Sequence, residues 1–166
     1  MRREIYMSEV ARPLWVLEQA VTVLIDGQTT AGAYAMVEQV VPAAGGLPFL
    51  HSFPVQATFY VASGRFEFYQ MNQRGKKKTL ITSPRSLIRI PRGSAHGFRN
   101  VGMEAGRLLV TFEPAGTITQ LFTALDRLAG RGREGPVQSH LINLCELIEV
   151  FQKHELRIFE APDALY

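Results

Sequence analysis

Val55-Gln56-Ala57-Thr58-Phe59-Tyr60-Val61-Ala62-Ser63-Gly64-Arg65-Phe66-Glu67-Phe68-Tyr69-Gln70-Met71 reads as two β-strands, 55 to 62 and 65 to 71, on either side of a Ser-Gly turn. Ala57, Phe59 and Val61 recur with a period of two, as do Phe66, Phe68 and Gln70, so each run presents one face to an interior. Phe53 continues the first series toward the amino end. Gly64 supplies the positive φ that a tight hairpin demands.

The same texture extends outward. Short runs rich in Val, Ile, Tyr, Phe and Thr occupy 14 to 17, 20 to 25, 33 to 41, 77 to 82, 86 to 90, 96 to 101 and 106 to 113, which is the pattern of an all-β sandwich or barrel. Asp26-Gly27, Asn72 to Gly75 and Gly102 supply further turns. After Pro114 the period lengthens to about 3.6 residues, and Ile118, Leu121, Phe122, Leu125 and Leu128 fall on one helical stripe that Gly130 ends. A connector over 131 to 136 leads to a second helix with Val137, Leu141, Leu144, Cys145, Ile148 and Phe151 on one face, and a short strand, Leu156 to Phe159, closes the chain. The reading is an amino-terminal extension over 1–13, a β domain over 14–116 and a helical tail over 117–166 packed against it. Met7 would serve as a start as well as Met1.

Composition agrees with one globular domain. The chain has 166 residues, 46% of them hydrophobic and 20% charged, enough to bury roughly two thirds of its unfolded surface without covalent staples. Cys145 is alone, so no disulfide forms within one chain. Glu9, Arg12 and Glu18 interrupt the early apolar stretches, arguing against a secretory signal, and no run reaches the roughly 18 apolar residues of a membrane helix. The expected compartment is the cytoplasm, with no membrane partner. The formal net charge is +3, concentrated at Arg74, Lys76, Lys77 and Lys78 and at Arg127, Arg131 and Arg133. These fall in turn-like segments, without a recognition helix or aromatic RNA-binding signature, so no nucleic-acid partner is expected.

Two windows hold the chemistry. One runs from Gly45 through His51 and Phe53 to Gly64, the other from Pro91 through Gly93 and His96 to Asn100. No nucleophile elbow or phosphate-binding glycine loop occurs. Cys145, on the apolar stripe of its helix, reads as a core residue.

The two windows resemble the paired motifs of the cupin superfamily, in which the first follows G-x5-H-x-H-x(3,4)-E-x6-G and the second ends P-x-G-x2-H-x3-N. Gly45, His51, Gly64, Pro91, Gly93, His96 and Asn100 keep the spacing; Arg85 replaces the glycine that usually opens the second motif. With Val37-Glu38, Val41-Pro42 and Glu113-Pro114-Ala115-Gly116, the chain is most similar to small quercetin-dioxygenase-like cupins. The resemblance implies a double-stranded β-helix, a jelly-roll barrel with its site in the mouth and the two helices at its carboxyl end, and a homodimer. It implies metal ligands at His51, Phe53, Ala57 and His96, of which only the histidines are able to ligate. A divalent metal (Fe, Mn, Ni, Zn or Cu) therefore requires an unidentified third ligand, for which Gln56 and Glu38 are the nearest candidates; a regular strand turns Gln56 away from Ala57.

Two readings of the site follow. In one, the motif is degenerate and Phe53, Ala57, Phe59, Val61, Phe66, Phe68 and Phe98 line a pocket for a small, mainly apolar or aromatic organic molecule. In the other, His51 and His96 serve an enzyme, either a metal-dependent dioxygenase or isomerase or a metal-free acid/base catalyst. The rings also suit a filled barrel interior. A third reading is a structural role without ligand.

Overall fold

A computed structural model describes residues 11–129 and 143–159. The strands are β1 (Leu14–Val16), β2 (Gln19–Ile25), β3 (Ala35–Val41), β4 (Gly46–Ser52), β5 (Gln56–Ser63), β6 (Phe66–Met71), β7 (Lys77–Thr82), β8 (Leu87–Ile90), β9 (His96–Asn100), β10 (Gly106–Glu113) and β11 (Arg157–Ile158); the helices are α1 (Ile118–Leu128) and α2 (Leu144–Lys153). They build a six-stranded sheet in the order β1-β2-β3-β10-β5-β8 and a five-stranded sheet in the order β11-β4-β9-β6-β7. From β3 to β10 the chain changes sheet at nearly every connection, and the two inner faces share one core.

The architecture is a β-sandwich consistent with a jelly roll; the sheets do not close into a barrel. Along β5, Ala57, Phe59 and Val61 are buried while Gln56, Thr58 and Tyr60 turn outward, and β10 answers with Leu108, Val110 and Phe112. Burying one face of each strand supplies the hydrophobic stabilisation and fixes register, since a slip by one residue would reverse the faces.

Three expectations need correction. Ser63-Gly64 and Gly102 do not close hairpins: β5 and β6 lie in different sheets, as do β9 and β10, so both turns are corners. The φ of +90° at Gly64 is as expected, because a corner and a hairpin ask the same freedom of glycine.

β4 is absent from the strand set read from sequence. Gly45, Gly46 and Pro48 resemble a turn, yet the segment pairs with β9, Leu47 opposite Phe98 and His51 opposite His96. Four steps along β4 match two along β9, and such a bulge accommodates a proline that has no N–H to give the ladder.

The third concerns α2. It buries Leu147 and Phe151, and His154 just past its end is buried too, while Cys145 and Ile148 are exposed. Its inner face is rotated from the expected stripe because contact with the sandwich selects one of two apolar faces. Val137 and Leu141, expected on that helix, lie outside the described residues. α1 keeps the expected stripe, burying Ile118, Leu121, Phe122 and Leu125. It is tied to β1 by the Trp15 backbone N–H, which donates to the Asp126 carboxylate at 2.7 Å. No described helix is long and apolar enough to cross a membrane.

Asn100 closes the second motif structurally. Its Nδ2 donates to the carbonyls of Val41 and Glu104, its Oδ1 accepts from the Gly102 N–H, and its side chain is buried. Asn100→Ala is expected to cost about 1–3 kcal/mol, because it strands the buried Val41 carbonyl and removes the part-buried bonds to Gly102 and Glu104 that hold the corner. Urea unfolding with an unchanged denaturant slope is the check; a loss below about 1 kcal/mol would show that the corner holds without this clamp.

Candidate functional site

The bulge in β4 brings two distant histidines together. His51 and His96 are direct cross-strand partners, and Ile158 on β11 and Gln70 on β6 extend the same row. Directly opposed residues share a face of a sheet. Both imidazoles thus belong to the inner face, with ring centroids 4.4 Å apart and no exposed surface.

Each ring is held by its own strand. His51 Nδ1 lies 3.0 Å from the Phe49 carbonyl oxygen, and His96 Nδ1 lies 2.9 Å from that of Ser94. A carbonyl only accepts, so both rings carry their proton on Nδ1, which leaves a bare lone pair on Nε2. Both Nε2 atoms are buried without a hydrogen-bond partner.

The electrostatics keep the pair neutral. Burial pulls His51 down to about 3, the neighbouring His96 acts in the same direction, and only the bond to Phe49 opposes. Burial pulls His96 down to about 4, against its bond to Ser94. At neutral pH the site offers two uncharged acceptors in an apolar setting.

Of the two positions that lack a ligating side chain, Phe53 packs against the pair. The Phe53 ring stands edge-on to His51 with centroids 5.2 Å apart and lies 5.6 Å from His96; Ala57 is buried on β5. Neither side chain donates to a metal. Among the described residues no three His, Cys, Asp or Glu side chains are grouped as a metal site. Gln56 instead faces outward, donating to Glu113 and accepting from Arg89, and Glu38 pairs with Arg107 at 2.7 Å. Two neutral imidazoles therefore do not fit a divalent ion that asks for three or more protein ligands and charge compensation.

Of the seven residues expected to line a pocket, Phe59, Phe66, Phe68 and Phe98 fill the sandwich interior with their rings in mutual contact, among them Phe68 stacked on Phe98 at 5.5 Å. Ala57 and Val61 are fully buried among them. Phe53 alone of the seven borders a void of about 10 Å3, which also touches His51 and has room for about one water molecule.

The other walls come from elements to which sequence reading gave no site role. Leu47 and Phe49 share the phase of His51 and Phe53 along β4, so alternation would have identified them had the strand been recognised. Leu121, Phe122 and Leu125 of α1 and Phe151 of α2 close the opposite side. The helices cover the histidine end of the sandwich.

Residues 36–112 match the family model described as Cupin domain. The matched stretch runs from β3 to β10, a little under half of the chain, and includes both histidines. The sandwich is similar to the oxalate decarboxylase of Bacillus subtilis solved at pH 4.6, with 14% identity, a TM-score of 0.55 and coverage of 64% of this chain and 28% of that one. It is also similar to the formate complex of Lactobacillus farciminis oxalate decarboxylase, with 20% identity, a TM-score of 0.55 and coverage of 62% and 31%. The match thus spans less than a third of either decarboxylase chain; at these identities it establishes the fold. No curated protein matches the sequence significantly.

Proposed function

We propose that this chain is a cupin resembling the small quercetin-dioxygenase-like group, with a degenerate metal motif, and that it binds a small, neutral, largely apolar molecule carrying a hydrogen-bond donor, such as a phenol or an alcohol. The observation that carries this reading is the pair of buried, partnerless Nε2 atoms, with one of the two histidines, His51, bordering an apolar void. A buried acceptor without a donor costs about 1–3 kcal/mol, and a ligand hydroxyl regains it.

The same chemistry disfavours anions. A carboxylate offers no donor and would meet two lone pairs with no cation between them, so the substrate named for the decarboxylase relatives is a poor fit for this pair. Entry requires side chains of α1 or α2 to give way, since the void holds about one water. Binding then couples to the packing of the helices over the sandwich.

Thermal unfolding with phenol, benzene and benzoate in parallel tests the reading. At about one hundred times its dissociation constant a ligand adds about 2.7 kcal/mol, so phenol is expected to raise Tm by several degrees, above benzene and well above benzoate. His51→Leu should abolish the preference for phenol, and Leu121→Phe, on the α1 wall of the void, should blunt all binding by filling it. Equal effects of phenol and benzoate, or no stabilisation by any neutral donor in a broad aromatic and alcohol set, would overturn it.

A further inference from the structure

We propose that the open edge of β7 is a docking strand for an acidic, extended peptide, which joins the five-stranded sheet as one more antiparallel strand. The inference is independent of the histidine site.

β7 stands at the margin of its sheet, paired with β6 on one side and with no described strand on the other. The hairpin fixes which way its backbone groups point. The Asn72 N–H donates to the Lys76 carbonyl at 3.0 Å, and along an antiparallel ladder residues that bond their partner alternate with residues that do not. The register then runs through Gln70–Lys78, Phe68–Leu80 and Phe66–Thr82, so Lys78, Leu80 and Thr82 bond to β6. Lys77, Thr79 and Ile81 aim their N–H and C=O groups at the open edge. A row of such groups is a template for a further strand.

The side chains are as free as the backbone edge. Every residue from Lys77 to Ile81 is exposed. Leu80 lies opposite Phe68 and so shares its inward face, yet Leu80 is 52% exposed while Phe68 is buried; the facing sheet stops short of β7. Ile81, on the other face, is 48% exposed. The strand offers an apolar contact on each face toward its carboxyl end and positive charge toward its amino end.

Charge selects the occupant. Arg74, Lys76, Lys77 and Lys78 stand at the hairpin end, and none of them pairs with a carboxylate among the described residues. The Asn72 side chain holds the tip in place, accepting from the Arg74 and Lys76 backbone N–H groups at 3.0 and 2.8 Å, and Lys77 Nζ rests 4.0 Å from the centre of the Tyr69 ring. Glu67, opposite Ile81, is engaged by Arg99. A second copy of this edge would bring the same cations with it, and edge lysines oppose such self-pairing. A strand with apolar side chains across from Ile81 and Leu80 and carboxylates across from Lys78, Lys77 and Lys76 meets both features of the edge.

The probe is a peptide of that pattern, Thr-Val-Val-Thr-Glu-Glu-Glu-amide with a fluorophore on its amino end, titrated with the full chain and followed by anisotropy. The expected result is one peptide per chain, with affinity falling as salt is added and about tenfold or more when lysines replace the glutamates. Thr79→Pro should weaken binding by about tenfold or more as well, because it removes an N–H that faces the edge and leaves the β6 ladder intact, as a proline in an edge strand does. Where Thr79→Pro fails to unfold cooperatively, Lys78→Glu takes its place with the same loss expected. Amide hydrogen exchange reads the register: Lys77, Thr79 and Ile81 should gain protection from the peptide, while Lys78 and Leu80, already bonded to β6, change little. Equal binding of the glutamate and lysine peptides, or undiminished binding in the edge variant, would overturn the proposal. So would a single-stranded oligonucleotide of equal charge that binds more tightly than the peptide, or a dimer of the free chain that the edge variant dissolves.

Discussion

Acidifying the protein from about pH 7.5 to about pH 4.5 is expected to remove on the order of 5 kcal/mol of folding stability through His51 and His96 alone, a large part of what a domain of this size has. The sign follows from the direction of the shifts. In the unfolded chain both groups titrate near the ordinary 6.5, whereas in the fold burial holds them at about 3 and about 4. Above the unfolded value both states are neutral and nothing is lost. As pH falls below 6.5 the unfolded chain takes up protons that the fold refuses, so stability drops by about 1.4 kcal/mol per pH unit for each histidine until its folded value is reached. His154 is lowered as well, through burial and then the nearby Lys153, and adds in the same sense. Chemical unfolding at several pH values measures the slope, with His51→Leu/His96→Leu as the control for ordinary carboxylate protonation. The double variant should have a much flatter acid limb. An equal slope in both proteins would mean that these imidazoles are protonated within the fold, and the neutral acceptor pair on which the ligand proposal stands would be lost.

The sequence made the histidine pair visible for a physical reason: it sits where spacing is constrained from both sides. Pro91, Gly93, His96 and Asn100 hold a turn, a strand and a corner in fixed order, and Asn100 binds Val41, Gly102 and Glu104 at once, so little freedom remains between them. The inward face of β5 was equally legible, because Ala57, Phe59 and Val61 alternate without interruption. What escaped was the strand that carries His51. Gly45, Gly46 and Pro48 carry the local chemistry of a turn, and only pairing with β9, which absorbs the proline in a bulge, makes the segment a strand. Local propensity lost there to tertiary contact. The face of α2 escaped for a related reason: Leu147 and Phe151 face inward while Ile148 and Cys145 do not, and the two sets are similarly apolar. Periodicity marks an inward face, yet it does not measure how much of the enclosed space is already filled.

That last point makes Phe98→Ala the most informative core substitution. Phe98 is 1% exposed and meets Phe59, Phe66 and Phe68 at centroid distances of 5.7, 6.4 and 5.5 Å. Removing a ring from such a cluster is expected to cost about 3–5 kcal/mol, the sum of lost transfer energy and an incompletely collapsed cavity. Urea unfolding with unchanged slope would measure it. The new space is lined by phenylalanine and aliphatic side chains, so it should stay dry and admit benzene as readily as phenol. Phe122→Ala is the counterpart: it enlarges the void that borders His51, and phenol should there exceed benzene in a manner that His51→Leu abolishes. The comparison separates a filled sandwich interior from a usable site at its histidine end. Were Phe98→Ala to cost less than about 1 kcal/mol, far below the range for a packed aromatic, the four rings would be loosely held. Ligand space would then lie among Phe59, Phe66, Phe68 and Phe98 themselves, and α1 and α2 would have no part in admitting it.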